Sequence, residues 1–454
     1  MSTTPSKMIT LTNASVDVIN AIRNSASIDF RDKVPLATAD ADSIREIGTI
    51  IMDYPALQNE FLSALINRIG KVILTSKMFQ NPWKMFKKGI LEYGETIEEI
   101  FVNIASPEQY SAEDAENTVF KRVLPDVKSA FHIINYQEVY PATIQDKDLR
   151  KAFMSWDGVT ELISRVVDSM YSAAEYDEFV AMKYLLAKRI LAGGLAPVVA
   201  GDYANDAKNA VKAFKSTSNK MEFMSVDYNV AGVHNFSKKE QQYLIVNADF
   251  DATMDVDVLA AAFNMDKAEF LGHKVLVDSF GNIDDARLKA LFGENFTPLT
   301  DAEKTALNAV PAVLVDEDWF MIYDNLINFT EQYNAKGMYW NYFYHAWKTL
   351  SVSPFANAAV FLPEAPTVSS VAVTPSTVTA SAGQAVQFVA TVSGTNFVDK
   401  AVTWSVTGAT STGTTIGDSG VLTIASDEEG TSLTVTATSV ADGTKTATAT
   451  ITIA

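Results

Sequence analysis

Cysteine is absent from the 454 residues. That excludes disulfides, thiolate metal sites and cysteine nucleophiles. Histidine is scarce: His132, His234, His273 and His345 are scattered through the chain, and each reads as a core or surface histidine before a ligand. Positive charge is in deficit, with 36 Lys+Arg against 55 Asp+Glu and a formal net charge of −19. That balance argues against a protein that binds nucleic acid by neutralising phosphates. No stretch approaches the ~18 consecutive apolar residues of a spanning helix, so no membrane association is expected. The first twenty residues carry one cation, Lys7, and no apolar run, so they do not read as a signal peptide. The expectation is a soluble protein made in the cytoplasm, long enough for roughly two to four domains.

Catalytic signatures are missing too. There is no Gly-x-Ser-x-Gly elbow, phosphate loop, dinucleotide fingerprint or His-Glu-x-x-His pair. Asp249, Asp251, Asp255 and Asp257 are the best metal candidate, but the turn glycine and distal bidentate glutamate of a calcium hand are lacking. Asp255 reads instead as the cap of a short helix from Val256 to Phe263, and neither a metal nor a cofactor is expected. Asp316-Glu317-Asp318 reads as a charged turn between two paired strands, Ala312–Val315 and Phe320–Tyr323.

What is present is a long helix, expected from about Ser155 to Gly194. Val159, Leu162, Ile163, Val166, Val167, Met170, Tyr171 and Ala174 recur at steps of three and four. Ser155 or Asp157 can cap its start, and Gly193-Gly194 can take the left-handed stop. Before it, residues 1 to about 65 hold two amphipathic pieces, around Val18-Ile19-Ile22 and Leu57-Phe61-Leu62. Gly70–Thr75 and Thr96–Val102 read as the limbs of a long hairpin, with Lys84, Lys87 and Lys88 on one side and Glu95, Glu98 and Glu99 on the other. Loops of such length usually have a task, and these charges suit either solvated cross-strand pairs or an arm docking on a neighbour. Residues 105–130 read as an acidic helix. Strands and helices then alternate through the middle of the chain, as in a compact α/β subdomain. Met338–Trp347 reads as a strand of alternating aromatics packed on the long helix.

Composition breaks at Pro363–Thr367, a linker. Beyond it Thr, Val, Ala, Ser and Gly dominate in short alternating runs, which indicates a β-sandwich. Val373-Thr374-Pro375, Gly383, Val402–Val406, Gly420-Val421-Leu422 and Val435–Thr438 resemble the bacterial immunoglobulin-like domain, group 2.

Other stretches carry a second resemblance. Lys87-Lys88-Gly89 with Thr96–Ile100, Phe153–Trp156, Asp255–Ala260, Ala262–Met265 with Phe270-Leu271-Gly272, and Val313–Asp316 with Asp318–Met321 are similar to the major capsid proteins of phi 29-type small podophages. The densest match runs from Gly337–Tyr342 through Leu350–Ser353 to Phe355–Ala358. The family implies an α+β Hong Kong 97-type (Johnson) capsid fold over residues 1–364. Its parts would be an N-terminal arm (about 1–65), an E-loop (66–104), a peripheral domain (105–194) with a spine helix (155–194), an axial domain (195–325) and a return to the peripheral sheet (326–362). An immunoglobulin-like domain would fill residues 365–454.

The resemblance implies a structural protein and no enzyme. Copies would form pentamers and hexamers of an icosahedral or prolate head, assembled in the host cytoplasm with a scaffolding protein and a portal. Packaged double-stranded DNA would be enclosed without specific binding, and head fibres are a further candidate partner. Lys84, Lys87, Lys88, Glu95, Glu98 and Glu99 would be inter-subunit contacts of the E-loop. An alternative from another class is a surface adhesin or wall-binding protein carrying the immunoglobulin-like module.

Overall fold

The computed structural model describes residues 11–38, 40–62, 64, 79–91, 96–111, 120–146, 158–202, 207–257 and 273–454. Among them the chain divides into two compact units, Met1–Glu95 with Ile134–Val180 and Tyr323–Thr349, and Thr96–Ile133 with Ala181–Ile322 and Leu350–Ala454.

The first unit begins with helices Leu11–Ser25, Ile28–Lys33 and Ala41–Asp53. The amphipathic residues expected there are its core: Ile19, Ile22, Leu57, Phe61 and Leu62 are buried. Ser27 caps the second helix by accepting from Phe30 N at 3.2 Å. Asn20 clasps Ala37 through both amide atoms, at 2.9 and 2.8 Å, replacing a ladder rung for chain that belongs to no strand.

A four-stranded sheet follows, in the order β1-β9-β10-β4. Its strands are β1 (Lys87–Ile90), β4 (Tyr136–Gln145), β9 (Phe320–Asn334) and β10 (Tyr339–Val352), while β2 (Thr96–Val102) and β3 (Val127–Ile133) lie in the other unit. Pro141, which has no amide to donate, is tolerated in β4 because that strand is an edge. The aromatic alternation of β10 works as expected: Trp340, Tyr342 and Tyr344 are buried on one face, and Tyr344 meets Tyr171 of the long helix at 4.8 Å.

That helix spans Gly158–Leu191, 34 residues and about 50 Å of rod. The proposed caps Ser155 and Asp157 lie outside the described residues. The glycine stop is as expected: Gly193 has φ +69°, its amide donates to Ile190 O, and Gly194 N donates to Arg189 O at 2.9 Å. This double bond pattern satisfies carbonyls that the helix end leaves free.

The second unit is built on a mixed five-stranded sheet, order β5-β11-β8-β6-β7. The strands are β5 (Ala196–Val199), β6 (Gln242–Asn247), β7 (Lys274–Val277), β8 (Ala312–Asp316) and β11 (Ala358–Leu362). Every residue of β8 and β11 is buried, which is why their sequences run apolar without alternation. Helix Ala207–Met221 covers the sheet through Phe214, whose ring lies 4.4 Å from Phe361 and 5.8 Å from Phe250.

Three expectations need correction. β8 and β9 do not pair with each other. After the turn at Asp316, where Trp319 N donates to Asp316 O at 3.0 Å, the chain passes to a different sheet. The stretch 337–362 does not stay in one sheet either, since β11 inserts between β5 and β8. A helix starts at Ala248, capped by Asn247, and Asp255 lies inside it, while residues 258–263 of the helix expected after Asp255 lie outside the described residues. Asp251 is committed to Lys274 at 2.7 and 2.9 Å. No metal cluster occurs among the described residues.

From Thr367 the chain is all β. The strands are β12 (Thr367–Thr374), β13 (Thr377–Ala380), β14 (Ala385–Gln387), β15 (Val389–Thr395), β16 (Val402–Thr407), β17 (Thr415–Ile416), β18 (Val421–Thr423), β19 (Ser432–Ser439) and β20 (Thr446–Ile453). Sheets β13-β20-β19-β16, β14-β18-β17 and β12-β15 share a core of Phe388, Leu422, Leu433, Val435 and Ile451, with Trp404 packed against it. Threonines take the alternate, outward positions of β19 and β20.

Candidate functional site

Two features stand out chemically, one in each unit. The first is a two-stranded arm. β2 and β3 pair antiparallel from Thr96↔Ile133 to Val102↔Val127, with residues 103–126 between them in the chain. The inner face is fastened to its own unit. Lys128 Nζ donates to Ala231 O at 2.6 Å, Ser353 Oγ donates to Glu99 at 2.6 Å, and His132 bridges Glu99 at 3.1 Å and Ser351 at 2.7 Å. Phe101 stacks on Phe355 at 5.5 Å.

The pleat sends every second residue the other way. That outer face carries Ile100, Val102, Phe131 and Ile133, all more than half exposed. Of the described residues between the two strands, Tyr110 is 88%, Phe120 93% and Leu124 84% exposed. Exposed apolar residues gathered on one face, with Thr96, Glu98 and Ser129 between them, are the mark of a surface that another protein covers.

The second feature is a buried charge cluster in the first unit. Lys87 Nζ lies 3.0 Å from Glu178 Oε2 and 2.9 Å from Asp324 Oδ2. Lys348 pairs with Glu178 and lies 3.6 Å from Asp324, and Asn81 donates to the other Glu178 oxygen at 2.7 Å. Glu178 has no exposed surface, and Lys348 and Asp324 are buried. Burial alone would lower the Lys87 pKa, but the carboxylates of Glu178 and Asp324 hold it above the usual lysine value. Burial likewise pushes Glu178 up, and Lys348 and Lys87 outweigh it and hold it below the usual glutamate value. Two cations against two anions leave the cluster neutral. It ties β1, the long helix, β9 and β10 together, and offers no open position for a substrate. Beside it, Tyr136 bonds Tyr140, which donates to Asp177 at 2.8 Å, and burial raises both phenols well above the usual tyrosine range.

These placements separate the six charged residues expected to act together. Lys84 and Glu98 are exposed and Lys88 is half-buried on β1, while Glu95 lies outside the described residues. Lys87 and Glu99 are engaged within the chain. The strand expected to pair with Thr96–Val102, residues 70–75, lies outside the described residues, and the partner found is β3. Of the stretch expected to be an acidic helix, residues 105–111 and 120–126 are not helical, 127–130 belong to β3, and 112–119, with Asp114 and Glu116, lie outside the described residues. Phe120, Val123 and Leu124 stand at helical spacing, but none of them is covered.

Sequence reasoning missed the apolar outer face, although Thr96–Val102 carries apolar residues on both sides of its alternation. It missed the charge cluster as well. The signal there was charge in phase with the core: Lys348 continues the Trp340-Tyr342-Tyr344-Ala346 alternation, and Glu178 follows Tyr171 and Ala174 at helical steps.

Comparison with known proteins agrees with a protein whose chemistry is contact. Residues 19–362 match the family described as Phi29-like phage major capsid protein. The major capsid protein of Bacillus phage PZA is 41% identical over 431 residues, covering 93% of this chain and 90% of that protein. That of Bacillus phage B103 is 40% identical over 432 residues, with the same coverage of 93% and 90%. The major capsid protein of Streptococcus phage Cp-1 is 29% identical over 364 residues, or 76% of this chain and 93% of that protein. In three dimensions the chain is similar to the capsid structure of Staphylococcus phage Andhra, with a TM-score of 0.51 at 14% identity, covering 64% of this chain and 86% of that one. The fold is thus a phage capsid fold of mixed α and β content, and the chain belongs to the Phi29-like phage major capsid protein family, a structural protein of the tailed-phage head.

Proposed function

We propose that this chain builds the head shell by overlapping its β2–β3 arm onto a neighbouring copy of itself, in pentamers and hexamers of the Hong Kong 97 type. The observation that carries the reading is the arm's two-sided character, hydrogen-bonded inward and apolar outward. Membership of a capsid family supports a second copy as the occupant, because a shell is made of repeated copies. The E-loop is then centred on residues 96–133, later in the chain than the 66–104 first expected. Lys84, Lys88 and Glu98 serve as charged contacts between copies, fixing register more than adding affinity. Glu99 holds the arm's inner face to its own unit, and Lys87 stays within the charge cluster of the first unit.

The long helix is the spine, and residues 195–325 with β11 form the axial domain. The all-β segment is an immunoglobulin-like module of group 2. A scaffolding protein and a portal direct closure in the host cytoplasm, head fibres are a further partner, and the acidic chain encloses double-stranded DNA without adhering to it. No catalytic step is assigned.

Negative-stain electron microscopy of the purified chain, alone and with a scaffolding protein, tests this reading. Closed shells of uniform size support it. A persistent monomer under both conditions overturns it.

A further inference from the structure

The contact between the C-terminal module and the end of the long helix carries an inference that goes beyond assembly. The helix stops at Gly193 in the left-handed region, φ +69°. A Cβ at that position would lie 2.5 Å from Asp399 Cα, 2.6 Å from Asp399 N and 2.7 Å from Val398 O. All three atoms are backbone, so no rotamer change could make room. Residue 193 is glycine for two independent reasons, its φ and the module's main chain lying on it.

The module's side of this contact is itself held firmly. Val398 is buried with Val368 and Val392 in a small apolar cluster. Asp399 accepts from Ala401 N at 2.9 Å. Asn396 and Phe397 both have positive φ, and Asn396 Nδ2 donates to Ala365 O in the linker at 3.3 Å. Charge adds to it: the Thr300 amide holds the Glu303 carboxyl below its usual range, and Lys188 of the helix end and Lys400 of the module reinforce that. A cleft of about 660 Å³, lined by Leu191, Ala306, Val310, Leu362, Val392 and Phe397, lies alongside. The cleft leaves the close backbone contact at Gly193 to fix the module's position there.

We infer that Val398 and Asp399, carried by the 393–400 segment, are a fixed seat on the C-cap of the long helix, so that the module braces the helix end instead of swinging on its linker. The inference rests on this chain's own contacts and stands apart from the arm's proposed role.

Gly293 supplies the control. It is also a helix C-cap with positive φ, +54°, but a Cβ there meets nothing within 4 Å. Gly193→Ala and Gly293→Ala in the full chain both put a side chain at positive φ, with Gly293 at ψ −127° the more strained site, and only the first strikes the module. Hydrogen exchange should show residues 396–401 losing protection several-fold in Gly193→Ala and unchanged in Gly293→Ala, with cleavage at 363–367 accelerated only in the first. Equal behaviour of the two variants would overturn the inference. Should Gly193→Ala fail to fold, limited proteolysis of the unmodified chain decides: a resistant linker supports the brace, and rapid release of an intact module overturns it.

Discussion

Lys87 Nζ stands 3.0 Å from Glu178 Oε2, on a carboxylate with no exposed surface that Lys348 also contacts. Removing one member of such a cluster strands the others. Glu178→Gln is expected to destabilise the chain by about 3–5 kcal/mol, read by urea unfolding. The pH dependence has two edges. Glu178 is held below 4.5, so its contribution is present above pH 4.5 and lost as the pH falls through its folded value. Lys87 is held above 10.5, so its contribution is present below pH 10.5 and lost as the pH rises through its folded value. A Glu178→Gln chain whose midpoint still tracks pH in both windows as the parent's does would contradict this account.

Glu99 and Glu98 are neighbours with opposite duties. Glu99 accepts from Ser353 and contacts His132 on the docked face, while Glu98 is exposed. Glu99→Ala leaves those partners unsatisfied, at a cost of about 1–3 kcal/mol. Amide exchange should then rise in 96–102 and 127–133. Glu98→Ala should leave stability within about 0.5 kcal/mol.

In the C-terminal module, Glu428 accepts from Thr410 Oγ1, Thr414 Oγ1 and the amides of Thr410 and Gly430. The Thr410 and Thr414 hydroxyls are the main cause of a carboxyl pKa of about 2. A depressed carboxylate stabilises above pH 4.5 and loses that effect as the pH falls toward 2. Glu428→Gln should lower the module's calorimetric midpoint at pH 7, and the gap to the parent should close near pH 2.

Phe214 packs on Phe361 and Phe250 with no surface exposed. Phe214→Ala should cost about 3–5 kcal/mol in denaturant titrations, through lost transfer energy and the cavity left behind.

Much of the fold was legible because period and burial coincide. The long helix, its Gly193 stop, the aromatic alternation of β10 and the threonine-faced strands beyond Pro363 all follow from local pattern. What did not follow was pairing between distant segments. The partner of Thr96–Val102 is set by Phe101 meeting Phe355 and Glu99 meeting Ser353, contacts more than two hundred and fifty residues apart. The lysines of β1 suggested cross-strand pairs with nearby glutamates, whereas Lys87 found its partners on the long helix and β9. The outward apolar face has no covering residues among the described ones to reveal it. Phe120 and Leu124, at helical spacing, imitated a core helix.

Shell formation should depend on the outer face of the arm joining one copy to the next. Phe131→Asp with Leu124→Asp removes that contact, because both residues are well exposed and neither closes the core. The double variant should keep the parent's circular dichroism and thermal midpoint, sediment as a folded monomer, and form no shells by electron microscopy under conditions where the parent does. Shells at the parent's yield from that variant would contradict the account.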